Sequence, residues 1–155
     1  MRRKDREIID ISEIEQIIAE SQVCHVAMFD EDYPYIVTLN FGYINETNPI
    51  LYFHSAPVGK KIDLIIKNSN VCFQFDTKKQ IITGEKACDF TMKFKSVVGV
   101  GKMMNVESES EKILGLDLIM KQYSDLKHFE YKAEMLKRTS ILKIEVEKMT
   151  GKSNY

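Results

Sequence analysis

The sequence predicts a mainly β fold with peripheral helices. Several stretches alternate apolar and polar residues with the period of two that is typical of half-buried strands. Short connections join most of these stretches, whereas a parallel sheet would need a helix after nearly every strand. About six such strands in a chain of 155 residues favour a closed antiparallel barrel with helices packed around it.

The predicted strands begin after residue 22 and recur to the end of the chain. In residues 35–43, Tyr35, Val37 and Leu39 share one face, whereas Thr38 and Asn40 lie on the other. This alternation is the clearest strand signal in the sequence. The predicted strands are residues 23–29, 35–43, 50–54, 71–75, 88–98 and 141–149.

Four segments carry the spacing of helices. Ser12 and Glu15 form a capping box that predicts a helix start, since the hydroxyl can accept a free backbone N–H and the carboxylate can reach back. Ser108 and Glu111 form a second capping box ahead of a helix over residues 108–123. Shorter helices are predicted over residues 58–68 and 129–137.

Composition narrows the classes of function. The chain has 22 Lys and Arg against 23 Asp and Glu, a formal charge of -1, so it lacks the basic balance of a nucleic-acid-binding domain. No apolar run approaches the roughly 20 residues of a membrane helix. The N-terminus leads into a charged, helix-like segment instead of an apolar signal core. We expect one domain over residues 1–155, in the cytoplasm, with no nucleic-acid or membrane partner.

The cysteines are odd in number and widely spaced. Cys24, Cys72 and Cys88 include no Cys-x-x-Cys pair and lie among strand-like apolar residues. This pattern predicts small buried side chains in a reducing compartment, without a disulfide framework or zinc site. The three histidines show no ligand spacing, so we expect no metal centre.

The segment 51–64 carries the strongest functional signal. A predicted strand ends at His54 and Ser55, a short turn with Pro57 follows, and a helix opens with Lys60 and Lys61. Free N–H groups, the helix dipole and two ammonium groups all favour a phosphate. The alternative is a pair of solvated surface lysines, and spacing alone does not separate the two.

Two other polar residues stand out. A histidine at a strand end is most often a packing or hydrogen-bonding residue, but beside a phosphate-binding turn His54 becomes a candidate proton donor. Ser96 is a hydroxyl on the otherwise apolar face of a predicted strand. Its hydroxyl has two interpretations, a bond to the backbone or a contact with a polar ligand.

At these positions the sequence resembles the pyridoxamine 5′-phosphate oxidase-like FMN-binding split-barrel family, and within it the nitroimidazole-resistance (Nim) type of flavoprotein. The resemblance covers nearly the whole chain. The residues that carry it are Met1-Arg-Arg-Lys-Asp-Arg-Glu7, Pro34 to Tyr43, Tyr52-Phe-His-Ser-Ala-x-x-Gly-Lys-Lys61, Ser96-Val-Val-Gly-x-Gly101 and Thr150-Gly-Lys152.

The resemblance implies a six-stranded antiparallel split β-barrel that forms a homodimer, with FMN held in clefts between the two subunits. Residues 35–40 would run beside the flavin, and Lys60 and Lys61 would bind its phosphate. His54 would be the catalytic residue. The cofactor-binding residues that the resemblance implies are Val37, Thr38, Leu39, Asn40, His54, Ser55, Lys60, Lys61, Ser96 and Val97, with Lys152 as a weaker candidate.

The chain departs from the oxidase pattern at Tyr35, where the oxidase usually has Arg, and at Asn40, where it has a positive residue. It also lacks the C-terminal Arg-x-His motif, so oxidation of pyridoxamine phosphate is not expected. The resemblance implies an oxidoreductase that passes electrons to a small electron-poor acceptor such as a nitroaromatic. The alternatives are a flavin or haem binder without catalysis, and an interaction protein with exposed lysines.

Overall fold

The computed structural model describes residues 3–155, so Met1 and Arg2 of the N-terminal motif lie outside the described residues. The strands are β1 (Glu7–Ile8), β2 (Cys24–Met28), β3 (Tyr35–Leu39), β4 (Gly42–Asn45), β5 (Pro49–Ser55), β6 (Asn70–Ile82), β7 (Thr91–Asn105) and β8 (Ser140–Ser153). The helices are α1 (Ile11–Glu20), α2 (Lys60–Lys67), α3 (Glu109–Tyr123) and α4 (Ala133–Arg138). Between residues 3 and 155, no helix is both long and apolar enough to cross a bilayer.

All paired strands of the sheet are antiparallel, in the order β3-β2-β6-β7-β8-β5-β4, with β1 added against β8. The predicted antiparallel arrangement is confirmed, but residues 3–155 form eight strands instead of six. Two residues of β1 are too few to show alternation. The predicted strand 35–43 also breaks at Asn40 and Phe41 into β3 and β4.

The sheet curls without closing, because β3 and β4 are its two end strands and are not paired with each other. The chain crosses between them at Asn40 and Phe41. The Phe41 N–H donates to the Tyr123 hydroxyl over 3.2 Å, and that hydroxyl donates to the Gln22 carbonyl over 2.8 Å. The end of α3 therefore fixes the crossover. The closed barrel predicted from the strand count is wrong, since both end strands keep one free edge.

The core lies inside the curled sheet and is rich in phenylalanine. The rings of Phe41 and Phe75 have their centroids 4.8 Å apart, and those of Phe73 and Phe75 are 5.9 Å apart, both edge to face. A Cβ at Gly99 would lie 2.2 Å from the Phe73 ring. Glycine is thus required in β7 for that ring to pack against the strand.

The helix starts differ in part from the predictions. The α1 cap is Asp10, whose carboxylate accepts the Ser12 N–H over 2.8 Å, so the predicted Ser12 cap is wrong. Ser108 is confirmed as the α3 cap. The carboxylate of Glu111, however, contacts other elements instead of closing a capping box. Both α2 and α4 begin later than predicted, because Gly59 and Lys132, the residues directly before them, have non-helical backbone angles.

One patch of the outer sheet surface is apolar and exposed. Neighbouring positions of β3, β2, β6 and β7 line up across it in register. We call these residues the outer patch: Ala27, Ile36, Cys72, Val98 and Val100. Cys24 is buried as predicted, but Cys72 and Cys88 are exposed. The prediction of burial is wrong for both, because Cys72 faces outward on β6 and Cys88 lies in a short 3-10 turn (Ala87–Asp89) before β7.

Candidate functional site

The start of α2 is open and uncapped. Gly59 precedes the helix with φ 130°, a conformation that glycine adopts without strain. No side chain caps the helix, and a Cβ at Gly59 would meet no atom within 4 Å. The first backbone N–H groups of α2 are thus available to an anion, at the positive end of the helix dipole.

Lys60 is tied to the turn between β2 and β3. Its Nζ lies 2.6 Å from Asp30 Oδ2 and 5.0 Å from the centre of the Tyr35 ring. The hydrogen bond with Asp30 raises the pKa of Lys60. Through this side chain the start of α2 is held beside the start of β3.

Lys61 has a different environment from its neighbour. Its side chain is half-buried, and it has no ion-pair or side-chain hydrogen-bond partner within residues 3–155. Desolvation lowers the pKa of its ammonium group. A partly desolvated cation without a counter-charge gains most from a bound anion.

Strand β3 offers mainly backbone groups to a ligand. The side chains of Val37 and Leu39 pack against the core. Thr38 points outward, where its Oγ1 lies 3.1 Å from His25 Nδ1, and Asn40 is exposed just past the strand. Because β3 is an end strand, its outer row of N–H and C=O groups has no neighbouring strand in the described part of the chain.

His54 and Ser55 end β5, directly before the turn that leads to α2. The imidazole of His54 is exposed and makes no side-chain hydrogen bond or ion pair among residues 3–155. Ser55 is buried, and its hydroxyl donates to the Ala56 carbonyl over 2.9 Å. The structure therefore places both predicted residues within one short segment of Lys60 and Lys61.

Ser96 and Val97 lie in β7, separated from β3 by two intervening strands. Val97 is fully buried, so its side chain faces the core. Ser96 is also buried, at 8% exposed, and lies opposite Asp76 and Lys152 in the neighbouring strands. Within residues 3–155, the ion-pair partner of Lys60 is Asp30 and not a residue of β7.

A second polar cluster lies between β5, β8 and α3. The Tyr52 hydroxyl donates to Glu111 Oε1 over 3.1 Å. Lys143 Nζ lies 2.9 Å from the same oxygen and 3.2 Å from Glu145. Burial and the hydrogen bond to Glu111 raise the pKa of Tyr52 to about 12, and the bond with Glu111 raises that of Lys143. Each of these groups has a partner in the protein.

Asp30 was not predicted as a site residue, and no contact between Tyr35 and Lys60 was predicted. Asp30 belongs to a run of three acidic residues that reads as an ordinary charged turn. Its contact with Lys60 joins segments that are far apart in sequence, and no local sequence pattern predicts such a contact. The role of His25 beside Thr38 was missed for the same reason.

Comparison with known proteins identifies the family to which the chain belongs. The family model described as pyridoxamine 5′-phosphate oxidase matches residues 10–153. The chain belongs to this family. The predicted family resemblance is thereby confirmed, as is the mainly β split-barrel class. No curated protein sequence gives a significant match.

One of the solved structures that match is more than 30% identical to this chain. A proposed 5-nitroimidazole antibiotic resistance protein from Bacteroides thetaiotaomicron VPI-5482 is 34% identical, with a TM-score of 0.83 over 95% of this chain and 86% of that one.

Two more distant structures share the fold. The flavocytochrome Anf3 from Azotobacter vinelandii is 15% identical, with a TM-score of 0.84 over 100% of this chain and 72% of that one. The FAD and haem binding protein from Mycobacterium smegmatis is 10% identical, with a TM-score of 0.82 over 97% of this chain and 74% of that one.

Proposed function

We propose that the chain is an FMN-dependent oxidoreductase of the nitroimidazole-reductase type, which acts in the cytoplasm on a small electron-poor acceptor. The observation that carries the proposal is the uncapped start of α2, where Lys60 contacts Tyr35 of the end strand β3 and the neighbouring Lys61 has no partner within residues 3–155. Family membership and the Nim-type relative support it. Three free thiols, two of them exposed, suit a reducing compartment.

The phosphate of FMN would bind Lys60, Lys61 and the first N–H groups of α2. This donor set fits a phosphate, because it combines two cations with an open helix start and free space at Gly59. Each charge-assisted hydrogen bond contributes about 1.5–3 kcal/mol. Two or three of them supply much of the ~8 kcal/mol that micromolar affinity requires.

The ring system would lie along β3. Backbone groups of residues 37–40 would bond its polar edge, and Ser55 would lie near the ribityl chain. When bound, FMN supplies the electron transfer, with a reduced nicotinamide as the proposed electron source. The chain's own residues bind the cofactor, orient it and control access to protons.

His54 is the proposed proton donor to the acceptor. Its imidazole is exposed and has no partner among residues 3–155, so it is available to a ligand. Histidine as a residue type exchanges protons near neutral pH. The side chain would donate a proton as the acceptor takes up electrons.

A second copy of the chain is the proposed partner, seated on the outer patch. Ile36 is 61% exposed, and Val98 and Val100 are each 43% exposed. A groove of about 520 Å³ borders this patch. Contiguous exposed apolar surface of this kind marks an interaction site. A homodimer would also bring Ser96, Val97 and Lys152 of one copy toward the flavin of the other.

Sedimentation tests the dimer. Val100→Glu introduces a charge into the outer patch and is expected to give a monomer, whereas the wild type sediments as a dimer. Lys102→Glu is the matched control, because Lys102 lies two positions along the same face of β7. A monomeric wild type, or equal dissociation of both variants, contradicts the proposed partner.

The oxidoreductase proposal is tested by the spectrum and the turnover of the purified protein. We expect flavin absorption bands, release of FMN on denaturation, and oxidation of reduced nicotinamide that depends on a nitroimidazole. Bound FMN without turnover of any nitroaromatic would contradict catalysis and leave only cofactor binding.

The second candidate is a flavin or haem binder without catalysis. It is favoured by the fold shared with the flavocytochrome and the FAD and haem binding protein, at TM-scores of 0.84 and 0.82. A haem Soret band in the purified protein would select this candidate over the first.

A further inference from the structure

We propose that Asp30 competes with the phosphate of the flavin for Lys60, so that Lys60 changes partner from Asp30 to the phosphate when the flavin binds. This inference rests on the proposed function and deepens it. The two lysines have different roles. Lys61 is available to the phosphate before binding, whereas Lys60 must first break its ion pair with Asp30.

The position of Asp30 is fixed by its own turn. The Tyr33 N–H donates to the Asp30 carbonyl over 2.9 Å, and Glu31 adopts a φ of 43°. This tight turn holds the Asp30 carboxylate at the start of α2, 2.6 Å from Lys60 Nζ. The side chain of Asp30 is only 26% exposed, whereas that of Lys60 is 55% exposed. Lys60 is therefore the partner that can move.

Asp30 changes the charge that a phosphate meets. Two lysines at the start of α2 carry two positive charges, and the carboxylate of Asp30 cancels one of them. Asp63, also in the first turn of α2, is exposed and adds a more distant negative charge. A phosphate monoester carries about −1.5 to −2 at neutral pH, so Asp30 both occupies Lys60 and repels the incoming group.

The consequence is that the flavin binds more weakly and is released faster than it would be without Asp30. Removing the carboxylate frees Lys60 and ends the repulsion, and the second effect grows with the charge on the phosphate group that lies at the start of α2. FMN, with a terminal monoester, should gain most. FAD, whose bridging phosphates carry one charge each, should gain less, and uncharged riboflavin should gain nothing.

The test is a titration of the full chain with FMN, FAD and riboflavin, followed by flavin fluorescence. Asp30→Asn keeps the shape and removes the charge. We expect FMN affinity to rise about two- to five-fold, the range of an exposed ion pair, with slower FMN release and unchanged riboflavin affinity. Asp32→Asn is the matched control, since Asp32 is an exposed acid of the same turn.

The outcomes separate this inference from the proposed function. If Asp30→Asn leaves FMN affinity unchanged or lowers it, Asp30 is not a competitor and the inference is wrong. An equal gain for riboflavin, or for Asp32→Asn, also overturns it. A wild-type chain that binds none of the three flavins overturns the proposed function itself.

Discussion

Two polar regions adjoin strand β5, and they differ in how their charges are satisfied. On the side of α3, Tyr52 and Lys143 share the carboxylate of Glu111, and each group has a partner at 3.1 Å or less. At the end that leads to α2, His54 is exposed and Lys61 is half-buried, and within residues 3–155 neither has a side-chain partner.

The difference indicates which region stabilises the fold and which binds a ligand. Satisfied polar groups between packed elements hold those elements together, and removing one partner leaves the others unpaired. Groups that the chain leaves unpaired are free to meet an external ligand. We therefore expect substitutions beside α3 to change stability, and substitutions beside α2 to change binding.

The largest effect is expected from charge reversal at the start of α2. Replacing Lys60 and Lys61 together by Glu removes two cationic donors and adds two repulsive charges. At about 1.5–3 kcal/mol for each lost bond, FMN affinity should fall roughly 10²- to 10⁴-fold, as measured by flavin fluorescence.

The matched control for this reversal is Lys67→Glu, at the other end of the same helix. It should bind FMN almost as the wild type does. If the double variant keeps wild-type affinity, the two lysines are a solvated surface pair and the phosphate site is not at α2.

The next largest effect is expected at His54. His54→Ala should leave FMN affinity within about two-fold, because the imidazole lies outside the proposed phosphate site. Turnover of a nitroaromatic should fall about 10²-fold, the low end for loss of a proton donor. His128→Ala, at another exposed histidine, serves as control. Unchanged turnover in His54→Ala would remove this residue from the mechanism.

Substitutions in the polar cluster between β5, β8 and α3 should change the stability of the fold and leave FMN binding unchanged. Glu111→Ala leaves Tyr52 and Lys143 without their shared acceptor and should lower the free energy of unfolding by about 1–2 kcal/mol, measured in urea. FMN affinity should not change. Glu109→Ala removes another first-turn acid of α3 and controls for the helix dipole. Equal losses in both variants would show that the cluster adds nothing.

The smallest effect concerns alkaline pH. The pKa of Tyr52 is raised to about 12 in the folded chain, so the unfolded chain loses this proton at lower pH than the folded one. Stability should therefore fall as pH rises from about 10 to about 12. Tyr52→Phe lacks this contribution, so the stability difference between wild type and variant should shrink over that range.

Urea unfolding at several pH values checks this prediction. Tyr33→Phe, at a tyrosine that is 79% exposed, is the control and should follow the wild type. A difference between wild type and Tyr52→Phe that stays constant with pH would contradict the role given to the Tyr52 hydroxyl.

Much of the fold was predictable because its signals are local. Alternation over a few residues located the main strands, and the Ser108 cap located α3. The break between β3 and β4 was not predictable, because it depends on Tyr123 of a distant helix holding Phe41. The Asp10 cap was missed since Ser12 offers an equally good local pattern.

The candidate site was predictable to a lesser extent. The strand end, turn and paired lysines of residues 54–61 form one continuous segment, and the sequence therefore identifies them together. The different environments of Lys60 and Lys61 were not visible, because they depend on Asp30 and Tyr35 from another turn. That Val97 and Ser96 are both buried was not visible either, because it depends on the strands and side chains that pack around β7.

The central claim is that the start of α2 and the edge of β3 hold a flavin by its phosphate. Calorimetric titration of the wild-type chain with FMN, after any co-purified flavin has been removed, tests it most directly. We predict saturable binding of one FMN per chain with an affinity of about micromolar or tighter. Absence of measurable binding at flavin concentrations of about 100 μM, some hundred-fold above that affinity, would contradict the account.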